Sequence, residues 1–137
     1  MSGCIETISH SQIKLEENKM KAVFLNPERD NCTKGRIDQC LVTEGIRADY
    51  FVSNSQKSIL VELKGCNIKH ACAQLFAAVE HPNVKPHLKN KIGFVIICSR
   101  YPKESTEVLI SIQKAKKKYG AQFKVSCRQQ VFNFNDF

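Results

Sequence analysis

The sequence predicts an α/β fold, a mixed central β-sheet flanked by helices, and three observations carry that expectation. β-rich runs and amphipathic helical stripes alternate in the order β-β-β-α-β-α-β, as in a mixed sheet with helices on its faces. The run Lys91 to Cys98, KIGFVIIC, is apolar on both of its faces, as a buried central strand is. At 137 residues the chain is one domain, large enough to bury roughly two-thirds of its unfolded surface.

Taken in order, residues 1–18 carry scattered Ile and Leu with no firm period. They read as a loop or short helix, a loosely packed start to a single domain 1–137. Lys19 to Asn26 reads as a strand ended by Pro27, Glu28 to Gly35 as a loop, and Arg36 to Val42 as a strand beside the hairpin that follows. After Gly65, Asn67 is a natural N-cap. Ile68, Ala71, Cys72, Leu75, Phe76 and Val79 then form one helical stripe, stopped by Pro82. Beyond the strand Lys91 to Cys98, residues Ser99 to Pro102 end it. Val108, Ile112, Ala115 and Tyr119 mark the inner face of a second helix, closed by Gly120 at its C′ position. Phe123, Val125 and Cys127 alternate with Lys124, Ser126 and Arg128 in a half-exposed final strand.

The chemistry concentrates in Arg47 to Gly65. Two β-rich runs, Ala48 to Val52 and Ser58 to Lys64, flank the polar tip 53–57. A turn centred between Ser55 and Gln56 sets Asp49 opposite Glu62 on one face, with Cβ atoms about 4.5–5.5 Å apart. Like charges so placed destabilise a sheet, and a hard cation such as Mg²⁺, held by one or two carboxylates, offsets the repulsion. Alternation puts Leu60, Glu62 and Lys64 on one face, with Val61 and Leu63 on the other. Solvated charges on an exposed face would account for the same residues. Against that, Glu62 interrupts the otherwise apolar run Ile59 to Leu63.

In motif and layout these residues resemble the PD-(D/E)xK nucleases, which include restriction endonucleases and Holliday junction resolvases of the archaeal type. Asp49 stands at the motif's first Asp, Glu62 at its (D/E) and Lys64 at its Lys, while Ala48 replaces the Pro. Gln74 matches a polar residue that many members place near the metal. The resemblance is weak before Asp38 and generic after Lys91. It implies a restriction-endonuclease-like core and Mg²⁺ or Mn²⁺ held by Asp49, Glu62 and the Leu63 carbonyl. It also implies that Lys64 positions or activates the attacking water. Asp38 and His70 are auxiliary candidates. Asp38 fits better as a turn residue paired with Arg36 or Arg47, and His70 better as a solvated helix-surface imidazole.

Net charge is +8, unevenly distributed. Between Lys85 and Arg128 eleven Lys or Arg face only Glu104 and Glu107, whereas the remainder is close to neutral. That asymmetry points to a polyanion, nucleic acid above all, and the nuclease resemblance favours DNA, held by Arg100 and the cluster Lys114, Lys116, Lys117 and Lys118 through sequence-independent contacts. Helix-end electrostatics account for part of the lysine run. No base-reading module is evident, so recognition of structure or backbone is expected, or specificity supplied by a partner protein; a homodimer is the other expected partnership. Seven Cys without a CxxC pair read as reduced thiols of a cytoplasmic protein, and no apolar run approaches the length of a membrane span. A metal-dependent endonuclease is the function these features favour. The alternative is a non-catalytic nucleic-acid-binding or assembly module on the same fold; two facing carboxylates would serve it no purpose.

Overall fold

The computed structural model describes residues 2–63, 67–100 and 106–137. Its strands are β1 (Ile5–Ile8), β2 (Gln12–Glu17), β3 (Met20–Leu25), β4 (Cys32–Arg36), β5 (Tyr50–Ser53), β6 (Lys57–Glu62), β7 (Lys91–Cys98), β8 (Phe123–Cys127) and β9 (Gln129–Asn133). Helix α1 spans Ile68–Glu80 and α2 spans Thr106–Tyr119.

Six strands form a mixed sheet in the order β1-β4-β5-β6-β7-β8, and β2-β3-β9 form a second sheet of three. The large sheet is antiparallel from β1 to β6 and parallel from β6 through β7 to β8. Helix α1 is the crossover between parallel strands β6 and β7, and α2 is the crossover between β7 and β8, as parallel pairing demands. Alternation along β6 separates two cores. Leu60 packs with Phe51, Ala71, Leu75 and Phe94 on the helix side. Ile59, Val61 and Leu63 pack with Ile13, Leu15 and Phe24 on the side of the small sheet. A strand buried on both faces needs apolar residues at successive positions, which is why β6 and β7 lack the alternation of a half-exposed strand.

The α1 stripe packs as its spacing predicts, with Ala71, Cys72, Leu75 and Val79 buried, and the Asn67 side chain accepts a hydrogen bond from the His70 N–H at 3.0 Å. Gly120 closes α2 with φ +61°, a conformation that costs glycine little. Gly35 has another use. It faces Phe51 across β4 and β5, and any side chain there would collide with the Phe51 ring.

Several expectations are corrected. Residues 1–18 are not a loose segment, since β1 and β2 lie there with Ile13 and Leu15 fully buried against β3. Their period-2 pattern, Ile13 and Leu15 between Gln12, Lys14 and Glu16, is too short to stand out from background. The strand expected at Arg36 to Val42 lies earlier, at Cys32–Arg36, partly within the stretch read as a loop, and 37–42 is a compact turn in which the Val42 N–H donates to the Ile37 carbonyl. β9 has no counterpart in the sequence reading. It follows β8 after only Arg128, whose φ of +60° redirects the chain into the other sheet. On α2, Ser111 and Ala115 are the buried positions, while Ile112 is 38% exposed. Finally, Cys40 is not a reduced thiol: it is bridged to Cys4, while Cys32, Cys72, Cys98 and Cys127 form no disulfide. The positions assigned to Lys64, Gly65, Cys66 and the strand end at 101–102 lie outside the described residues. No described helix is long and apolar enough to cross a membrane.

Candidate active site

The hairpin β5–β6 sets the geometry. Its pairs run Ser53↔Ser58, Val52↔Ile59, Phe51↔Leu60 and Tyr50↔Val61, and the same register continued by one residue places Asp49 opposite Glu62. The Asn54 N–H donates to the Lys57 carbonyl at 3.0 Å, and Asn54 Oδ1 accepts from the Gln56 and Lys57 N–H groups, which locks the two-residue tip Ser55-Gln56. A one-residue slip would move Glu62 out of register with Asp49, so this tip chemistry also sets the site.

Both carboxylates are withdrawn from solvent, Asp49 at 2% exposure and Glu62 at 0%. Asp49 Oδ2 accepts the Leu63 N–H at 2.7 Å, closing the end of β6, and the Asp49 carbonyl accepts from the Ile37 and Asp38 N–H groups. Asp49 thus joins the 37–42 turn to the end of the hairpin. Burying carboxylates is costly unless polar or charged groups compensate, and for Asp49 the Leu63 N–H is one such group. Next to them, burial raises the pKa of the Tyr50 phenol, followed by the charge of Glu17, with Asp49 and Asp38 adding to the shift and Arg36 opposing it.

A polar cleft of about 290 Å³ adjoins this end of the sheet, lined in part by Asp38, Arg47, His70 and Gln74. Arg47 Nε donates to Asp38 Oδ1 at 2.6 Å and its terminal nitrogen to the Gly45 carbonyl at 2.7 Å. Gln74 Nε2 donates to the Arg47 carbonyl at 2.8 Å. The auxiliary candidates therefore share one cleft. Within it Asp38 is an ion-pair partner of Arg47, Gln74 anchors α1 to the segment leading into Asp49, and His70 lies exposed on the first turn of α1.

The basic residues are less concentrated. Arg100 follows β7 at the edge of the sheet where Glu62 ends β6. Helix α2 then runs back across the sheet, so Lys118 lies roughly 18 Å from Thr106 by helix rise. At that far end Tyr119 packs on Phe94 with ring centroids 5.7 Å apart, and Lys118 lies 3.7 Å from Glu80 at the last turn of α1. Lys114 lies over the Phe76 ring, 4.4 Å from its centroid. Lys116 and Lys117 are exposed. The lysine cluster is thus distant from the carboxylates.

No group of three or more His, Cys, Asp or Glu side chains among the described residues is arranged to hold a metal. The available donor set is two carboxylates with a neighbouring main-chain carbonyl, all hard oxygens. That suits Mg²⁺ or Mn²⁺, which need only one or two carboxylates, and not a soft-metal or zinc site. No family model matches the chain, and neither a curated protein nor a solved structure shows significant similarity to it.

Proposed function

We propose that this chain is a metal-dependent endonuclease that hydrolyses phosphodiester bonds, with DNA as its substrate, on a restriction-endonuclease-like core. The observation that carries the proposal is the burial of Asp49 and Glu62 one step beyond the last pair of a hairpin whose register, continued, sets them opposite each other. A strand–strand–helix–strand unit, β5-β6-α1-β7, places that pair at the edge of the sheet beside a polar cleft, consistent with the family's layout.

Asp49, Glu62 and the Leu63 carbonyl would hold Mg²⁺ or Mn²⁺. Bound there, the ion would supply Lewis acidity toward the phosphate and lower the pKa of a bound water. The protein's own part is to set these oxygens in place. The Leu63 N–H orients Asp49, the 37–42 turn holds the Asp49 main chain, and Gln74 ties α1 to Arg47 two residues earlier. Lys64 is assigned to orienting the water and to stabilising charge on the pentacovalent transition state. Arg100 lies at the same edge and is assigned to the phosphate backbone. Lys116 and Lys117 engage the backbone farther along, about five base pairs away at 3.4 Å per step. With no base-reading module, specificity falls to DNA structure or to a partner protein. A DNA substrate argues for the cytoplasm, although a disulfide such as Cys4–Cys40 is a feature of oxidising compartments.

The decisive experiment is cleavage of plasmid, branched DNA and RNA with Mg²⁺, Mn²⁺ or EDTA. Metal-dependent cleavage lost in Glu62→Gln supports the proposal. Tight DNA binding without cleavage under any metal would replace it with a binding module.

A further inference from the structure

We infer that β8 is a self-pairing edge through which a second copy of this chain joins its large sheet to the first. The inference stands independently of the nuclease proposal.

Among the described residues β8 is the last strand of the six-stranded sheet, paired with a strand on one side only. The Phe94 N–H donates to the Gln122 carbonyl and the Arg128 N–H to the Cys98 carbonyl, with Phe94↔Phe123 and Cys98↔Cys127 in register. In a parallel ladder successive residues turn their main-chain groups to opposite sides. Gln122, Lys124, Ser126 and Arg128 therefore face β7, while Phe123, Val125 and Cys127 direct their N–H and C=O groups to the open edge. Beside that edge lies a notch of about 380 Å³ between Lys124, Val125 and Ser126 on one side and Gln130, Val131 and Phe132 on the other. The notch keeps β9 from serving as the next strand. Natural sheets block such edges with charge or cover, and β8 carries a single inner cation, Lys124.

The register of self-pairing follows from that cation. An antiparallel pair centred on Lys124 opposes two lysines, and one centred on Ser126 opposes Lys124 to Arg128. Centred on Val125, it opposes Lys124 to Ser126 and Phe123 to Cys127, with no like charges across the strands. In that register Val125 meets its own copy, and Phe123, Val125 and Cys127 are hydrogen-bonded positions on both strands. All outward groups of the strand are then satisfied by six bonds around a two-fold axis, the isologous contact of a closed dimer.

Sedimentation velocity across a range of protein concentrations, with hydrogen exchange at the Phe123, Val125 and Cys127 amides, tests this. The expected result is a monomer–dimer equilibrium in which those three amides gain protection as dimer accumulates. Ser126→Lys sets two lysine pairs across the axis and should weaken dimerisation roughly two- to thirtyfold, whereas Ser126→Glu should tighten it by reversing the sign. Val125→Pro removes an outward donor not used by β7 and should give a monomer with unchanged circular dichroism. A monomer at every concentration overturns the inference. So does a dimer whose affinity ignores all three substitutions, or an edge protected only when an extended peptide from another protein is added.

Discussion

Asp49 has two roles in this arrangement: its Oδ2 holds the Leu63 N–H at 2.7 Å, and its charge faces Glu62 in the interior. Asn at position 49 keeps an acceptor for Leu63 and removes the charge. Asp49→Asn should therefore melt at or above the wild-type temperature in EDTA. Millimolar Mn²⁺ should raise the wild-type midpoint by mass action and leave that of the variant almost unmoved. Equal metal-induced shifts in the two proteins would remove Asp49 from the ligand set. Lys64→Ala separates chemistry from docking. Cleavage should fall below detection while the dissociation constant for DNA changes little, and near-wild-type turnover would reject the assignment of Lys64 to chemistry. Sequence was a good guide at this scale where a residue's position is set by strand register, as for Asp49 and Glu62 one step beyond the Tyr50↔Val61 pair. It was a poor one where the role depends on a distant partner. The choice between Arg36 and Arg47 for Asp38 is made by the fold of the 37–42 turn, which brings Arg47 Nε within 2.6 Å.

Helices α1 and α2 meet at their C-terminal ends around Glu80. Its carboxylate accepts from the Tyr119 hydroxyl at 2.6 Å and lies 3.3 Å from Lys85 and 3.7 Å from Lys118. The Tyr119 hydrogen bond first, and Lys85 next, hold the Glu80 pKa below its usual value. Burial and then Glu80 itself push the Tyr119 pKa up. A lowered acid contributes stability above its unfolded value, near pH 4.3, that is lost as pH falls through the folded value. A raised phenol contributes stability below about pH 10 that is lost as pH climbs through its folded value. The contact should thus favour the fold across the neutral range and fail at both ends. Tyr119→Phe should flatten both limbs of a plot of melting temperature against pH, and limbs identical to wild type would show that the contact carries no linkage. The lysines of α2 divide on the same geometry. Lys114 lies over Phe76 and Lys118 beside Glu80, which leaves Lys116 and Lys117 as the proposed DNA contacts. Replacing both with Ala should reduce the log–log salt slope of duplex binding by roughly 1.8, at about 0.9 per phosphate. An unchanged slope would mean that they only solvate the helix end.

For the molecule as a whole, legibility tracked the length and uniformity of the signal. The buried run of β7 and the stripe and cap of α1 were readable because eight or more consecutive residues obey one rule. β1, β2 and β9 were not, because a strand of four to six residues offers too few alternations, and β9 belongs to a sheet formed by distant segments. The Cys4–Cys40 bridge was hidden for the same reason. Nothing local pairs two cysteines 36 residues apart; β1 and β4 bring their Cα atoms to 5.6 Å. Closing a loop of this length restricts the unfolded chain by roughly 3–4 kcal/mol at 25 °C on the chain-entropy account, an upper figure if the reduced ensemble stays compact. It also ties the start of β1 to the 37–42 turn, whose Asp38 holds Arg47 beside the cleft. Replacing Cys4 and Cys40 together with Ser should lower the unfolding free energy by about 3 kcal/mol, and reductant should bring the wild type to the same midpoint while leaving the variant where it was. Thiol titration of the denatured chain gives an independent count. The oxidised wild type should expose five reactive thiols, the seven cysteines less the bridged pair, and the reduced protein all seven. Seven before reduction, with denaturation midpoints indifferent to reductant, would remove the bridge from the solution structure and the 37–42 turn from its control.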